Sequence, residues 1–448
     1  MEHLAIVVLA AGMGTRMKSK LPKVLHRVAG RSLLGHVLHA AKDVGAERAV
    51  VVHGPGHDAV QIETRKIIAN AQLAEQTERK GTGHAVMQAE AALKDFAGTV
   101  LVLYGDVPLI SAESLRKLLA ARGSNTMAVL AFEAANPFGY GRLITQGNKV
   151  LAIREHKDAS EAERQIRLCN SGIIAINAAD LWKALAKLKP ANAQGELYLT
   201  DVVEHVNAAG GTAVFATCDE AETAGVNDRV QLAAIEAEMQ GRLRQRAMLN
   251  GATLIDPATT YFSADTKIGA DVVIEPNVYF GPGVTVGDDV EILANSHIEG
   301  ATVANGARIG PFARLRPGAE LGEKSHVGNF VEIKKARIGK GAKANHLTYI
   351  GDAEVGAGSN IGAGTITCNY DGYEKHLTRI GENVFVGSNT ALVAPVSVGA
   401  GANIAAGSVI TADVPADALA MTRADLVQKD GWAKRYRAMK AAKKAKKS

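Results

Sequence analysis

At 448 residues with 47% apolar content, the chain is long enough for two domains with sizeable cores, and it holds no apolar run of the roughly 18 residues a membrane span needs. The net charge of +5 is local. Lys434, Arg435, Arg437, Lys440, Lys443, Lys444, Lys446 and Lys447 face no acid, and without these eight the balance is −3. Such a tail could touch RNA or anionic lipid, but it reads as a solvated, frayed end, and neither nucleic acid nor membrane insertion is expected. Cys169, Cys218 and Cys368 are far apart and fit no metal spacing, which points to a reducing, cytoplasmic setting. The first residues read as a strand rather than a signal peptide.

From residue 1 to 226, strand-like and helix-like segments alternate. Strands are predicted at residues 4–9, 49–52, 99–104, 127–132, 173–176 and 212–216, and helices at 33–41, 83–93 and 114–122. The pattern predicts an α/β, Rossmann-like domain with a mostly parallel sheet, whose ligands bind beyond the carboxyl ends of the strands. The first such end carries Leu9-Ala10-Ala11-Gly12-Met13-Gly14-Thr15-Arg16-Met17, followed by Pro22-Lys23. Small residues let backbone amides approach a phosphate chain, which Arg16 and Lys23 can neutralise. No Gly-Lys-Ser/Thr follows, so this is not a Walker loop, and Met17 occupies the third glycine position of the dinucleotide fingerprint. Asp106 ends a buried strand in a Gly105-Asp106 turn, where a carboxylate suits a Mg²⁺ shared with substrate phosphates.

Residues 227–248 read as a long linker helix, with Leu232, Ile235, Met239 and Leu243 spaced three and four apart, a cap at Asn227-Asp228 and a stop at Asn250-Gly251. From residue 249 to 448 the period changes to six. Apolar residues recur at Ile268, Ile274, Phe280, Val286, Ile292 and Ile298, slip by five to Val303, and resume at Ile309, Leu315, Leu321, Val327 and Ile333. A last run covers Ile380, Val386, Leu392, Val398, Ile404 and Ile410. Six fits neither a helix nor an isolated strand; it fits a parallel β-helix whose triangular coils hold about 18 residues. The apolar residue points inward, and the small residue after it, often Gly, is expected to let the chain bend. Residues 369–378 interrupt the repeat, as functional loops on solenoids do. Arg316 and Lys334 follow inward positions one coil apart, so two cations stack where an anion would relieve their repulsion. His346, in Asn345-His346-Leu347-Thr348-Tyr349 where a coil begins to depart from the strict repeat, is a candidate general base.

The N-terminal loop, together with Gln76, Gly81-Thr82-Gly83-His84, Tyr104-Gly105-Asp106, Gly139-Tyr140-Gly141-Arg142, Glu155-His156-Lys157-Asp158, Asn170-Ser171-Gly172 and Gly225-Val226-Asn227, resembles the signature of sugar-1-phosphate nucleotidyltransferases. The six-residue array resembles the left-handed hexapeptide β-helix of acyltransferases. End to end, the chain resembles the family of bacterial bifunctional N-acetylglucosamine-1-phosphate uridylyltransferases and glucosamine-1-phosphate N-acetyltransferases.

The resemblance implies acetyl transfer from acetyl-CoA to glucosamine 1-phosphate in the C-terminal domain. Uridylyl transfer from UTP to the product would follow in the N-terminal domain, giving UDP-N-acetylglucosamine for cell-envelope polymers. It implies Arg16 and Lys23 on the triphosphate, Gln76, Gly81 and Thr82 at the uracil, Tyr104 and Gly105 beside Asp106, and Gly141, Glu155 and Asn170 on the sugar. Asn227 is implied as the second Mg²⁺ ligand beside Asp106. In the acetyl site it implies Arg316, Lys334, Tyr349 and Asn360 on glucosamine 1-phosphate, with Glu332 orienting His346. Acetyl-CoA would lie along Ala363, Asn369-Tyr370, Ser388, Ala406 and Arg423, and the assembly would be a homotrimer. Arg79-Lys80 depart from the Gln-Leu common in the family. The alternative is a single-activity nucleotidyltransferase whose β-helix regulates or oligomerises; His346 with Arg316, Lys334 and Tyr349 speaks against it.

Overall fold

The computed structural model describes residues 3–445, so Lys446 and Lys447 of the basic tail lie outside the described residues. The chain forms two compact units: one comprises Met1–Arg246 and Phe262–Ala264, the other Ala247–Tyr261 and Asp265–Ser448.

The first unit is built on a nine-stranded sheet. Its strands are β1 (Leu4–Ala10), β2 (Arg48–His53), β3 (Gln72–Glu75), β4 (Thr99–Tyr104), β5 (Met127–Glu133), β6 (Arg142–Gln146), β7 (Lys149–Arg154), β8 (Leu168–Asn177) and β9 (Ala213–Thr217). They lie in the order β3-β2-β1-β4-β8-β5-β9-β7-β6. β3, β2, β1 and β4 are parallel, as are β5 and β9. β8 runs antiparallel between β4 and β5. β3, β6 and β7 are absent from the sequence-based expectation; they are polar or charge-ended, and β6 and β7 pair as an edge hairpin.

Alternation along the strands sends two sets of side chains to two cores. Ala5, Val7, Val50, Val52, Val100 and Val102 pack with α3 (Thr82–Met87), α5 (Ala178–Leu185) and α6 (Val202–Ala208). Ile6, Val8, Val51, Leu101 and Leu103 face α1 (Leu33–Asp43), α2 (Asp58–Ile67) and α4 (Ala112–Arg122). Ser32 caps α1 by accepting from Gly35 N, and Ser111 caps α4 by accepting from Ser114 N, each taking up a backbone donor that the helix cannot pair. The expected helix over 83–93 is shorter, Thr82–Met87 followed by a single 3₁₀ turn, Ala91–Leu93.

The long helix α7 runs Arg229–Leu249, with Asp228 accepting from Gln231 N at its start and Gly251 at φ +100° beyond its end. It packs on the first unit: Glu236 accepts from Ala29 N (2.7 Å), Arg242 donates to Leu109 O (2.9 Å), and buried Gln240 donates to Phe262 O (2.7 Å).

The second unit is a left-handed parallel β-helix with three stacks of short strands. Ile274, Ile292, Ile309, Val327, Ala344, Ile361, Val386 and Ile404 form one inward column. Val286, Val303, Leu321, Ile338, Val355, Ile380 and Val398 form the second. Phe280, Ile298, Leu315, Ile333, Ile350, Thr367, Leu392 and Ile410 form the third. Each coil is its neighbours' core. Thr367 replaces an apolar residue in the third column, and its hydroxyl accepts from Gly351 N (2.8 Å) and donates to Gly351 O (3.1 Å).

The glycine after the inward residue does not serve to bend the chain. At Gly328 a Cβ would lie 2.0 Å from Asn345 O, and at Gly356 2.3 Å from the Gly381 carbonyl carbon: the next coil's backbone occupies that space. The left-handed residue that turns each corner comes later, for example Asp271, Asn277, Asp289 and Asn295. Phe312, Phe330 and Leu347 also adopt positive φ and are exposed; the two Phe rings stack 5.2 Å apart.

Candidate active sites

The first site opens where β1 and β4 end. After β1 the chain turns at Gly14, φ +59°, where a Cβ would sit 2.6 Å from Lys23 Cβ; only glycine lets this loop close over Lys23. Lys23 is buried, and its ammonium donates to Asp106 Oδ2 and to Asn227 Oδ1 (3.2 Å). Asp106 O also accepts from Val226 N (3.0 Å), which brings the segment before α7 alongside the β4 turn. Two carboxylate and amide oxygens, far apart in sequence, therefore converge on one cation. Gly105 N donates to Leu9 O (2.9 Å), tying that turn to the phosphate loop.

Leu9, Ala10, Ala11, Gly12, Lys23, Gln76, Gly81, Thr82, Tyr104 and Asp106 line a cleft of about 230 Å³. Gly81, at φ +106°, lies against Leu197, whose carbonyl would be 2.6 Å from an added Cβ. Gln76 is buried, and its amide nitrogen lies 3.4 Å from Gly81 O and 3.2 Å from His84 Nδ1. Arg79 also lines the cleft, whereas Lys80 pairs with Glu78 at the surface. Arg16 stays exposed in the Thr15–Met17 turn and is not among the lining residues.

A second cavity of about 550 Å³ shares Thr82, Tyr104 and Glu196 with the first. Gly141, Glu155 and Asn170 line it together with Phe138, Tyr140, His156 and Tyr198. The register of β8 against β5 breaks between Asn170 and Ile174, an irregularity of the kind that redirects side chains beside a site. Asn170 N donates to Gly141 O (2.8 Å), joining two walls. Burial pushes the Glu155 carboxyl above the usual carboxylate range, against a hydrogen bond from Thr200 that pulls it down. Burial likewise raises the Tyr104 phenol. Glu196 and Tyr198 were missed in the sequence because they lie on an irregular stretch without motif or period.

The β-helix carries the other site. Asn329, His346, Ala363, Ser388 and Ala406 form one column up a corner, since the carbonyl of each accepts from the residue beyond its successor, as in Gly364 N to His346 O and Gly407 N to Ser388 O. Arg423 donates to Ala406 O (3.4 Å) at the column's end. His346 Nδ1 lies 2.7 Å from Asn329 Oδ1. A carbonyl oxygen only accepts, so Nδ1 carries the hydrogen and Nε2 keeps its lone pair for a proton. The expected partner of His346, Glu332, instead binds Arg316 (2.7 Å); it projects from the strand beneath Tyr349, while Asn329 sits directly beneath His346.

Arg316 and Lys334 lie at another corner, at the end of the third strand stack. Lys334 donates to Asp352 (3.3 Å), whose carboxylate also accepts from Asn369 Nδ2 (2.5 Å). Lys375, on the inserted loop, meets Lys334, and the hydrogen bond and repulsion from that neighbour hold its ammonium below the usual lysine range. Lys375 was missed because the loop breaks the repeat. Tyr349 stacks on Glu332, Asn360 on Lys343, and Tyr370, on the same loop, is exposed. Among the described residues no group of three or more His, Cys, Asp or Glu could hold a metal ion, and no helix is long and apolar enough to cross a membrane.

Fold and sites define an α/β nucleotidyltransferase joined to a hexapeptide β-helix transferase. The MobA-like NTP transferase domain matches residues 6–191, and the bacterial transferase hexapeptide repeat matches residues 265–300 and 377–412. The bifunctional protein GlmU of Parvibaculum lavamentivorans is 58% identical over 98% of this chain and 97% of its own length. That of Azorhizobium caulinodans is 55% identical over 99% of both. The chain belongs to the GlmU family of bifunctional enzymes.

Proposed function

We propose that the β-helix transfers the acetyl group of acetyl-CoA to the amine of glucosamine 1-phosphate, and that the α/β unit then joins the product to UTP. The second step would give UDP-N-acetylglucosamine and pyrophosphate. The observation that carries this reading is the pairing, in one chain, of a cleft holding Lys23 and Asp106 next to a sugar-sized cavity with a histidine column ending in a cation. In the first reaction the substrate phosphate attacks the α-phosphorus of UTP, and the protein's share is positioning and charge neutralisation. Lys23 and, from the exposed turn, Arg16 would hold phosphates; Gln76, Gly81 and Thr82 the uracil; Gly141, Glu155 and Asn170 the sugar.

Asp106 Oδ2 and Asn227 Oδ1 already share one cation, the Lys23 ammonium, so the pair fits a Mg²⁺ completed by substrate oxygens. Such an ion would supply charge neutralisation at the phosphates. In the second site His346 Nε2 would take the proton of the attacking amine, with Arg316, Lys334 and Tyr349 on the sugar phosphate. Acetyl-CoA would follow the column past Ala363, Ser388 and Ala406 to Arg423, with Asn369, Tyr370 and Asn360 beside it. A cytoplasmic location follows from these substrates.

A homotrimer is part of the reading. The outward residues of the second stack are charged or hydroxylic, among them Lys267, Thr285, Glu320, Arg337, Glu354 and Arg379, and suit water. Those of the first and third stacks in the later coils include Phe385, Leu419, Ile366 and Val409, all exposed in the single chain. His346 sits at the corner between the first and third stacks, where a neighbouring copy would complete the site. Light scattering should give three times the 46.9 kDa chain mass; a monomer active in acetyl transfer would reject the trimer.

The deciding assay supplies glucosamine 1-phosphate, acetyl-CoA and UTP together and follows free thiol and pyrophosphate separately. Thiol release is expected to precede pyrophosphate and to persist in EDTA, while pyrophosphate release stops. Loss of both signals in EDTA would contradict a metal confined to Asp106 and Asn227.

A further inference from the structure

Arg142 is a charge that none of the steps above uses. It begins β6 and is 1% exposed, yet its guanidinium meets two carbonyls and a ring nitrogen rather than a carboxylate. Nη1 donates to Tyr140 O and to His156 Nδ1 (3.1 Å), and Nη2 donates to Arg164 O (3.2 Å). Nε is buried with no partner. Removing a cation from water without a counter-ion is unfavourable, and a well-packed apolar residue would stabilise such a place better. What the fork does provide is reach. Tyr140 and His156 stand on separate segments that both line the cavity of about 550 Å³, and one guanidinium binds them together from behind. Arg164 adds a second tie by donating from Nε to His156 O (3.3 Å), and the Phe138 ring meets the His156 ring edge-on at 4.6 Å. Burial, Arg142 and Arg164 all keep the His156 imidazole below its usual range, so near neutrality it stays the acceptor that Arg142 requires.

We propose that Arg142 is the positioning residue of the sugar pocket: it pins the walls carrying Tyr140 and His156 at one separation and directs its positive charge at Glu155. This rests on reading the cavity as the site of the sugar phosphate. Glu155 gains from the arrangement. Burial raises its carboxyl, as do Asp158 and Asp201, while Thr200 and Arg142 work in the other direction. Tyr104 and Tyr198, whose phenols burial raises further, add no negative charge beside it. Keeping Glu155 ionised keeps it an acceptor for sugar hydroxyls.

The test uses Arg142→Lys and Arg142→Met in the full chain, with Glu155→Gln as control and acetyl transfer by the same preparation as the check on folding. Both Arg142 variants should raise KM for N-acetylglucosamine 1-phosphate about ten- to a hundredfold, the scale of a wall displaced by an ångström. Their kcat, their KM for UTP and their acetyl transfer should stay near normal. Arg142→Met should also move the acid limb of kcat/KM to higher pH, because Glu155 then protonates more readily; Arg142→Lys, which keeps the charge, should not. If Arg142→Met does not fold, the KM of Arg142→Lys decides. An unchanged sugar-phosphate KM in Arg142→Lys, or equal losses toward both substrates, overturns the proposal. If Glu155→Gln leaves the sugar-phosphate KM unchanged, it is the reading of the cavity that fails.

Discussion

His346→Ala is expected to slow acetyl transfer about 10²–10⁴-fold, the usual worth of a positioned general base. Uridylyl transfer from supplied N-acetylglucosamine 1-phosphate should remain near normal. His346 is fixed on Asn329 with Nε2 outward, whereas the cations proposed for the phosphate, Arg316 and Lys334, have their own partners, Glu332 and Asp352. Substrate binding should therefore survive while proton removal fails, and the loss should fall on kcat more than on KM. Raising the pH should recover part of it, because more of the substrate amine is then already deprotonated. Steady-state thiol release checks both points; a raised KM with unchanged kcat would make His346 a binding group instead.

Asp106→Ala is expected to abolish uridylyl transfer, at a cost of about 10²–10³-fold or more, as for loss of a preorganised electrostatic group. It should leave acetyl transfer intact. Asp106 is the only carboxylate of the trio with Lys23 and Asn227, so its removal leaves the buried ammonium with a single amide oxygen. Asn227→Ala, which keeps the charge pair, should lose less. Pyrophosphate release at saturating Mg²⁺ measures both, and equal loss of acetyl transfer in a folded Asp106 variant would count against two separate sites.

Where function rests on residues close together in the chain, the sequence was readable. The phosphate loop follows a buried strand within a few residues, and the six-residue period shows directly which side chains point inward: of those quoted for it, Ile268 alone is half-buried. The meeting of Lys23 with Asn227 was accessible only through family resemblance, because nothing local ties the residue before α7 to the phosphate loop. Asn329 under His346 escaped for a geometric reason. Partners in successive coils lie 17 apart, as in Asn329 to His346, 18 apart, as in Arg308 to His326, or 25 apart across the inserted loop, as in Asn360 to Phe385, so counting misplaces them. Arg142 was quoted within a motif, but its fork depends on the fold bringing Tyr140, His156 and Arg164 around one guanidinium. β6 carries only two apolar residues, both strands open on a charged residue, and their pairing is set by the edge they close.

The column from His346 through Ala363 and Ser388 to Ala406 works as a ruler. Neighbouring strands lie roughly 4.7–4.9 Å apart, so its three steps span about 14 Å, with Arg423 marking the far end. On the reading proposed for this site, a donor whose reactive carbonyl sits at His346 would carry its anionic end at that distance, and a shorter thioester would leave Arg423 unmatched. The graduation is a whole coil: adding or deleting one would shift the far mark by a full strand spacing while leaving every inward residue with a neighbour. Acceptance of donors of different length could thus change in discrete steps, without any substitution at the base itself.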